Sequence, residues 1–201
     1  LDIFGNTSKN RTFLPTFEPN IDHVPLWRKN GFTPYFSEFM PLVESFEIEI
    51  PQLKKHRVIS VILPADYYKN PEKKYPVVYM HDAQNLFGEG SVYGNWEIDK
   101  RLSLLKKQDK TDVIIVAINH GEEDRQVEFS PYKNEVKGQG MRYATFIVRT
   151  LKQHIDNHYR TRPERQFTGI GGSSMGGLIS IYTGMMYPEA IGRLMVFSPS
   201  L

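Results

Sequence analysis

The stretch GIGGSSMGG, at residues 169–177, contains the side chain best suited to covalent chemistry. Residues Gly172 to Gly176 match the pattern G-x-S-x-G, with Ser174 at its centre. In this pattern the serine occupies a strained strand-to-helix turn, and the flanking glycines leave room for neighbouring backbone. The pattern predicts that the Ser174 hydroxyl projects into a cleft at the amino end of the following helix, where negative charge is favoured. Ser174 is therefore the candidate nucleophile.

Two simpler interpretations of this stretch stay open. One is a glycine-rich turn that only connects two elements, and the other is a phosphate cradle, because helix amino ends bind anions. The stretch lacks the lysine of the G-x-x-x-x-G-K-[ST] loop, and it does not fit G-x-G-x-x-G, since Ser174 stands at the last place. The strand predicted before it and the helix predicted after it favour the nucleophile.

The composition excludes several functional classes. The 25 Lys and Arg nearly balance the 23 Asp and Glu, so the net charge of +2 gives no reason to expect a nucleic-acid partner. Cysteine is absent, which excludes disulfides, thiolate metal sites and a cysteine nucleophile. The sequence contains no run of about 18 apolar residues, so it predicts no membrane span. We expect a soluble protein, and the sequence does not decide whether it is cytoplasmic, periplasmic or secreted, or whether it oligomerises.

The positions of the apolar residues predict an α/β fold from residue 46 onward. FEIEI and HRVISVILP resemble an antiparallel hairpin, and the short apolar runs that follow are typical of parallel strands covered on both faces. Their alternation with amphipathic helices predicts a doubly wound, mostly parallel sheet with the hairpin at its edge. The predicted strands are 77–80, 113–118, 165–170 and 193–197, and the predicted helices are 96–107, 143–159 and 175–186.

Residues 1–45 differ from the remainder of the chain. They are rich in Phe, Pro and Asn, and proline repeatedly interrupts any regular element. We interpret them as an N-terminal arm or linker, and residues 46–201 as the domain that carries the site.

Five segments of the chain form one combined pattern. They are, in this order, YMHDAQNLF, GNWEID, INHGEEDRQVEFSP, GIGGSSMGG and VFSPS. Together they resemble the esterase D family of α/β-hydrolases, which includes enterochelin and bacillibactin esterases, feruloyl and acetylxylan esterases, S-formylglutathione hydrolases and mycolyltransferases. The resemblance covers about residues 46–201 and implies the α/β-hydrolase fold.

The resemblance implies roles for individual residues. Ser174 matches the family's nucleophile, and the backbone amides of Met175 and Gln84 match the two donors to the oxyanion. Ala83 replaces the glycine often found before the second donor. Three further positions match residues that shape the region above the site, although a packed aromatic and a structural ion pair in a loop are the simpler explanation for them than direct contact with the substrate. These positions are Trp96, Arg125 and Glu128.

A complete Ser-acid-His triad cannot be assigned. In this fold the acid and the histidine follow the serine along the chain, whereas all six histidines of this sequence precede Ser174. We therefore expect the C-terminal part of the hydrolase domain, with the Asp and the His, to lie beyond Leu201. His81 and His120 follow strands at the same sheet edge and are alternative bases, although local hydrogen bonding is the simpler explanation for both.

No metal or other cofactor is expected. His154 and His158 lie four residues apart, as zinc ligands on a helix do, but HIDNH lacks the glutamate of H-E-x-x-H. The resemblance implies a serine esterase acting on a small-molecule or carbohydrate ester through an acyl-enzyme on Ser174. The HDAQNLF form favours siderophore or phenolic esters over thioesters. An acyltransferase to a sugar hydroxyl and a non-catalytic binding module are the alternatives.

Overall fold

A computed structural model of the protein describes residues 33, 35–88, 95–110, 112–132 and 137–200. Its described strands form one six-stranded sheet in the order β1-β2-β4-β3-β5-β6. β1 and β2 form an antiparallel hairpin, β2 pairs antiparallel with β4, and the remaining pairs are parallel. The strands are β1 (Leu42–Ile50), β2 (Lys55–Leu63), β3 (Val77–His81), β4 (Ile114–Ile118), β5 (Thr168–Ser174) and β6 (Arg193–Pro199).

Helices cover both faces of this sheet. The helices are α1 (Ile98–Lys107), α2 (Arg125–Phe129), α3 (Gly140–Thr145), α4 (Lys152–His158) and α5 (Met175–Met186). A π-helical segment, Phe146–Leu151, joins α3 to α4. Among the described helices, none combines the length and the hydropathy needed to cross a lipid bilayer.

Alternating residues of β4 show why the sheet is doubly wound. Ile114, Val116 and Ile118 belong to the larger apolar core, which also contains residues of α2 to α5. Ile115 and Ala117 point the other way, into a smaller core against which residues of α1 pack. Because successive side chains of a strand face opposite sides, a strand covered on both faces must be apolar throughout. The predicted doubly wound sheet with an antiparallel hairpin is confirmed.

The helix predicted over residues 143–159 corresponds to α3, the π-helical segment and α4. Its apolar stripe is confirmed, since the side chains at its core-facing positions are fully buried. These positions are Tyr143, Phe146, Ile147, Leu151 and Ile155.

The strand predicted over residues 165–170 was placed too early. Residues Arg165–Phe167 form a 3-10 turn, and β5 continues through the glycines to Ser174. β5 contains glycines because β6 lies very close to it: a Cβ on Gly171 would lie 2.5 Å from the carbonyl oxygen of Met195. Glycine weakens an isolated strand, and here a neighbouring backbone requires it.

The hairpin begins earlier than expected. β1 starts at Leu42, so it includes the last four residues of the range interpreted as the arm. Residues 1–32 and 34 of that range lie outside the described residues, as do His23 and Leu201. The role of the arm stays a prediction.

Candidate active site

Ser174 stands between β5 and α5 in a strained backbone conformation. Its φ of 56° and ψ of −123° lie in a region that residues other than glycine rarely adopt. The residue is exposed, whereas both Gly172 and Gly176 on either side of it are buried. The sharp bend therefore presents the hydroxyl group at the carboxyl end of a parallel strand, where ligands bind in open α/β sheets.

The glycines on either side of Ser174 make this bend possible. A Cβ on Gly172 would lie 2.8 Å from the carbonyl carbon of Gly176, and a Cβ on Gly176 would lie 3.0 Å from Oδ2 of Asp82. Side chains at both places would collide with backbone or with a buried carboxylate. The spacing of the G-x-S-x-G pattern thus has a direct steric cause.

The end of β6 is attached to the bend. The Oγ atoms of Ser174 and Ser200 are 2.9 Å apart, and the Ser200 N–H donates to the Ser174 carbonyl oxygen at 3.2 Å. Ser198 has a φ of 41°, which turns the chain so that Pro199 lies opposite Ser174 in the sheet register. Sequence reasoning missed Ser200, because a second serine three residues after an apolar run carries no signal of its own.

A cavity of about 810 Å³ opens beside Ser174. Met175 is the first residue of α5, so its N–H has no partner within the helix and faces the region where the helix dipole is positive. The cavity walls come from the ends of β3 and β5, the loop after β4 and Trp96. Lining residues include His81, Asp82, Trp96, His120, Arg125 and Ser174.

The loop after β3 turns sharply at Asp82, which has a left-handed φ of 59°. The turn Ala83–Asn85 follows, so the Gln84 amide lies in the first turn after this bend. The Gln84 side chain accepts a hydrogen bond from the His120 N–H at 3.1 Å and donates to the His120 carbonyl oxygen at 3.4 Å. These two bonds connect the loop after β3 to the loop after β4.

Arg125 and Trp96 both reach the cavity wall. Arg125 donates to both carboxylate oxygens of Asp82, from Nε to Oδ1 at 2.6 Å and from a terminal nitrogen to Oδ2 at 2.9 Å. The Trp96 ring packs edge-on against Phe197, with ring centroids 5.1 Å apart. Trp96 is therefore both a packed aromatic and part of the cavity surface.

Glu128 lies elsewhere than expected. Its carboxylate is fully buried and accepts hydrogen bonds from one terminal nitrogen of Arg57 at 2.7 and 2.8 Å. It is not among the described residues that line the cavity. Arg125 and Glu128 each form a structural ion pair, but with different partners: Arg125 pairs with Asp82, and Glu128 pairs with Arg57 and, at 3.3 Å, with Lys55. The two residues stand three apart on α2, and the helix directs them to different neighbours.

The two alternative bases are engaged elsewhere. Nδ1 of His81 lies 3.2 Å from the hydroxyl of Tyr143, and burial lowers the pKa of this histidine to about 4, with Asp82 opposing the shift. Nδ1 of His120 accepts the Glu122 N–H at 3.0 Å. Within the described part of the chain, neither imidazole is hydrogen-bonded to Ser174. Nδ1 of each ring thus has a local partner, whereas the buried Nε2 of His81 has none among the described residues.

The histidine pair on α4 lies on another part of the molecule. The rings of His154 and His158 stack at 4.1 Å, and Nδ1 of His158 bonds the carbonyl oxygen of His154 at 2.7 Å. His154 also packs against Phe46, and its pKa is lowered by burial and by the neighbouring His158. Among the described residues no group of three or more His, Cys, Asp or Glu side chains could hold a metal ion.

Solved esterase structures have the same fold. The chain is similar to a ferulic acid esterase of the anaerobic fungus Anaeromyces mucronatus, at 25% identity and a TM-score of 0.61, with 86% of this chain and 62% of that chain covered. It is also similar to the enterochelin esterase of Shigella flexneri, at 16% identity and a TM-score of 0.64, with 83% and 38% covered. The α/β-hydrolase fold expected from the resemblance is confirmed.

A similar curated protein has no assigned activity. An uncharacterised protein of Bacillus subtilis (strain 168), YbbA, is 25% identical over 147 residues, which are 69% of this chain and 55% of the relative. The chain thus spans little more than half the length of this relative. A family model named Esterase, with the description "Putative esterase", matches residues 50–201. This match includes β2 to β6, the bend at Ser174 and the loop after β3, and the chain belongs to the esterase family.

Proposed function

We propose that the protein hydrolyses a carboxylic ester with Ser174 as its nucleophile. The observation that carries this proposal is the backbone of Ser174, at φ 56° and ψ −123°, which holds an exposed hydroxyl at the start of α5. Strain of this kind costs about 1–3 kcal/mol and is concentrated at functional sites. Membership of the esterase family supports the same chemistry.

The proposed reaction has two steps. Ser174 Oγ attacks the ester carbonyl carbon while its proton passes to a base, and the carbonyl oxygen becomes an oxyanion that the Gln84 and Met175 amides stabilise. Collapse of this intermediate releases the alcohol, which takes up the proton, and leaves an acyl group on Ser174. Water then attacks the acyl carbon by the same route, and the carboxylic acid leaves. Preorganised amides of this type are worth about 2.7–4 kcal/mol each in comparable enzymes.

The base is proposed to be a histidine outside the described residues. A serine hydroxyl alone is a poor nucleophile at neutral pH, so the chemistry needs such a group. Within the described residues the Ser174 hydroxyl bonds Ser200, and the two histidines on the cavity wall have other partners. The acidic member of the triad is likewise proposed to lie outside the described residues.

A bulky ester with a phenolic or carbohydrate part is the proposed substrate. The cavity of about 810 Å³ is large enough for such a group, and Trp96 supplies an aromatic surface at its wall. Among the similar structures, the ferulic acid esterase of Anaeromyces mucronatus was solved with ferulic acid, and the enterobactin esterase of Shigella flexneri was solved with enterobactin. Both ligands contain phenolic rings that an indole can contact.

A fluorophosphonate probe tests the nucleophile. We expect it to label the purified protein on the peptide that contains Ser174, with complete loss of labelling in Ser174→Ala. Ser37→Ala is the matched control, because Ser37 is an exposed serine of the described chain away from the cavity. Labelling that persists in Ser174→Ala would overturn the proposal by placing the nucleophile elsewhere, and a protein that never labels would overturn it in favour of a binding module.

Product analysis separates hydrolysis from acyl transfer. With an ester substrate and an added sugar as the alternative acceptor, a hydrolase releases mainly the free acid, since water accepts the acyl group. Predominant formation of a new sugar ester would instead assign the protein as an acyltransferase that uses the same Ser174 acyl-enzyme.

A further inference from the structure

Two side-chain contacts hold the loop that contains Gln84. The first is the pair of bonds between the Gln84 side chain and the backbone of His120. The second is the paired hydrogen bond between Asp82 and Arg125. Both contacts join the loop after β3 to the segment that follows β4, so the position of the Gln84 amide depends on that neighbouring segment.

Asp82 also touches the start of α5. A Cβ on Gly176 would lie 3.0 Å from Asp82 Oδ2, so the carboxylate packs directly against the first turn of this helix. The positive end of the helix dipole favours a carboxylate there. One side chain thus contacts the segment containing Arg125 and the turn that follows Ser174, while its own backbone begins the turn with Gln84.

The backbone of Asp82 needs such support. It has a φ of 59° and a ψ of 53°, and its carbonyl oxygen accepts the Asn85 N–H at 2.9 Å to close the turn. A left-handed conformation costs a residue other than glycine on the order of 1 kcal/mol, although aspartate tolerates it better than most residues. Contacts that fix the Asp82 side chain therefore also fix the direction in which the next amides point.

We propose that Asp82 and Arg125 form a positioning pair that sets the distance between the Gln84 and Met175 amides. This inference rests on the proposed function, because it assumes that these two amides bind the oxyanion. In this proposal the pair acts on the two amides and not on the reacting atoms. It acts through the turn after Asp82 on one side and through the first turn of α5 on the other.

The geometry favours positioning over direct substrate binding for Arg125. Two of its donors face the Asp82 carboxylate, and the Arg125 side chain is 24% exposed. A paired Arg–carboxylate contact fixes both distance and orientation, which a single lysine contact cannot do. An arginine that bound substrate directly would instead act on the affinity for the ester.

The test measures labelling by a neutral fluorophosphonate, separated into probe affinity and the rate constant of inactivation. In Arg125→Gln and Asp82→Asn we expect this rate constant to fall about tenfold to a hundredfold, because small displacements in an active site cost rates of this size. Probe affinity should stay within about twofold, since the amides act mainly on the transition state. The double variant should be no slower than the slower single variant, as residues that act as one unit are not additive.

Two further variants guard against a purely structural explanation. Arg125→Lys retains the charge without the paired geometry and should give an intermediate rate constant. Arg125→Ala should recover part of its rate when millimolar methylguanidinium is added, an effect that a loss of folding would not show. Arg149→Gln is the matched control, because Arg149 forms an exposed ion pair with Glu189 at 3.6 Å and should label like the unchanged protein.

Three results would overturn the positioning role. Weaker probe affinity with an unchanged rate constant would place Arg125 in contact with the ligand. Full additivity in the double variant would show that Asp82 and Arg125 act separately. Labelling of Ser174 at an unchanged rate in both single variants would contradict the pair while leaving the nucleophile intact, whereas a protein that does not label at Ser174 would overturn both proposals.

Discussion

The two ends of helix α2 carry two ion pairs in different surroundings. At its start, Arg125 pairs with Asp82, with 24% and 9% of the two side chains exposed. Near its end, Glu128 pairs with Arg57, with 0% and 4% exposed. The first pair borders the cavity beside Ser174, and the second lies in the interior with Arg57 also donating to the Asn119 carbonyl oxygen at 3.2 Å.

This difference in burial separates two tasks. Removing one partner of a fully buried ion pair leaves a charge without water or a counterion, which costs more than removing one partner of a pair that water partly reaches. We therefore interpret the Glu128–Arg57 pair as the anchor of α2 on the sheet. The Asp82–Arg125 pair then transmits that fixed position to the loops around Ser174. Two of the three predictions that follow test this division, the other concerns the interior next to α2, and all are measured through the free energy of unfolding.

The largest effect is expected for Glu128→Gln. Loss of the carboxylate leaves the Arg57 guanidinium buried without a counter-charge, and we expect the free energy of unfolding at pH 7 to fall by about 3–5 kcal/mol. Urea denaturation measures this value. Glu123→Gln, which changes an exposed carboxylate in the same segment, is the control and should alter stability by less than about 0.5 kcal/mol. A loss below about 1 kcal/mol in Glu128→Gln would contradict the anchor.

An intermediate effect is expected from His81, whose ring packs against Phe129 at the end of α2. Burial lowers its pKa from 6.5 to about 4, so the unfolded chain binds a proton between these pH values that the folded protein does not. Stability should therefore fall as the pH decreases from 6.5 to 4, by up to about 3 kcal/mol, and this contribution should be constant above 6.5.

The variant His81→Asn tests this origin of the acid sensitivity. Its amide preserves a partner for the Tyr143 hydroxyl but does not titrate, so urea denaturation at pH 7 and pH 4.5 should show a smaller loss than in the unchanged protein. His56→Asn is the control, since His56 is exposed. An identical loss in His81→Asn and in the unchanged protein would show that other groups cause the acid sensitivity.

The smallest effect on stability is expected for Arg125→Gln. Water reaches the Arg125 side chain, which is 24% exposed, and Asp82 keeps the positive end of α5 beside it, so we expect the free energy of unfolding to fall by about 1–2 kcal/mol. A loss as large as that of Glu128→Gln would remove the distinction between the two pairs. The same variant should nevertheless label about tenfold to a hundredfold more slowly than the unchanged protein, although its expected effect on stability is the smallest of the three.

The sequence predicted the central bend well because its causes are local. Glycine at position 172 is required by the backbone of Gly176 within the same bend, and apolar periodicity placed α5 at residues 175–186 as observed. Gly176 has a tertiary reason as well, since a Cβ there would meet Asp82 of the loop after β3. The doubly wound sheet followed from strands that are apolar on both faces. These features depend on neighbours in the chain, which a linear pattern records.

The partners of charged side chains were not predictable in the same way. Asp82 and Arg125 are 43 residues apart, and Arg57 and Glu128 are 71 apart, so no spacing in the sequence indicates which acid meets which base. Ser200 was missed for a related reason, because it reaches Ser174 only through the parallel pairing of β6 with β5. One signal for Asp82 was present, since it directly follows a buried strand at the edge where β5 also ends.

The sequence by itself therefore determined the fold class, the strained turn and the position of Ser174, since periodicity and glycine spacing act over a few residues. Only the tertiary structure decided that Arg125 faces the cavity while Glu128 is buried, and that Asp82 joins three segments. The physical reason is that an ion pair forms between side chains that packing brings together, and packing depends on the whole sheet.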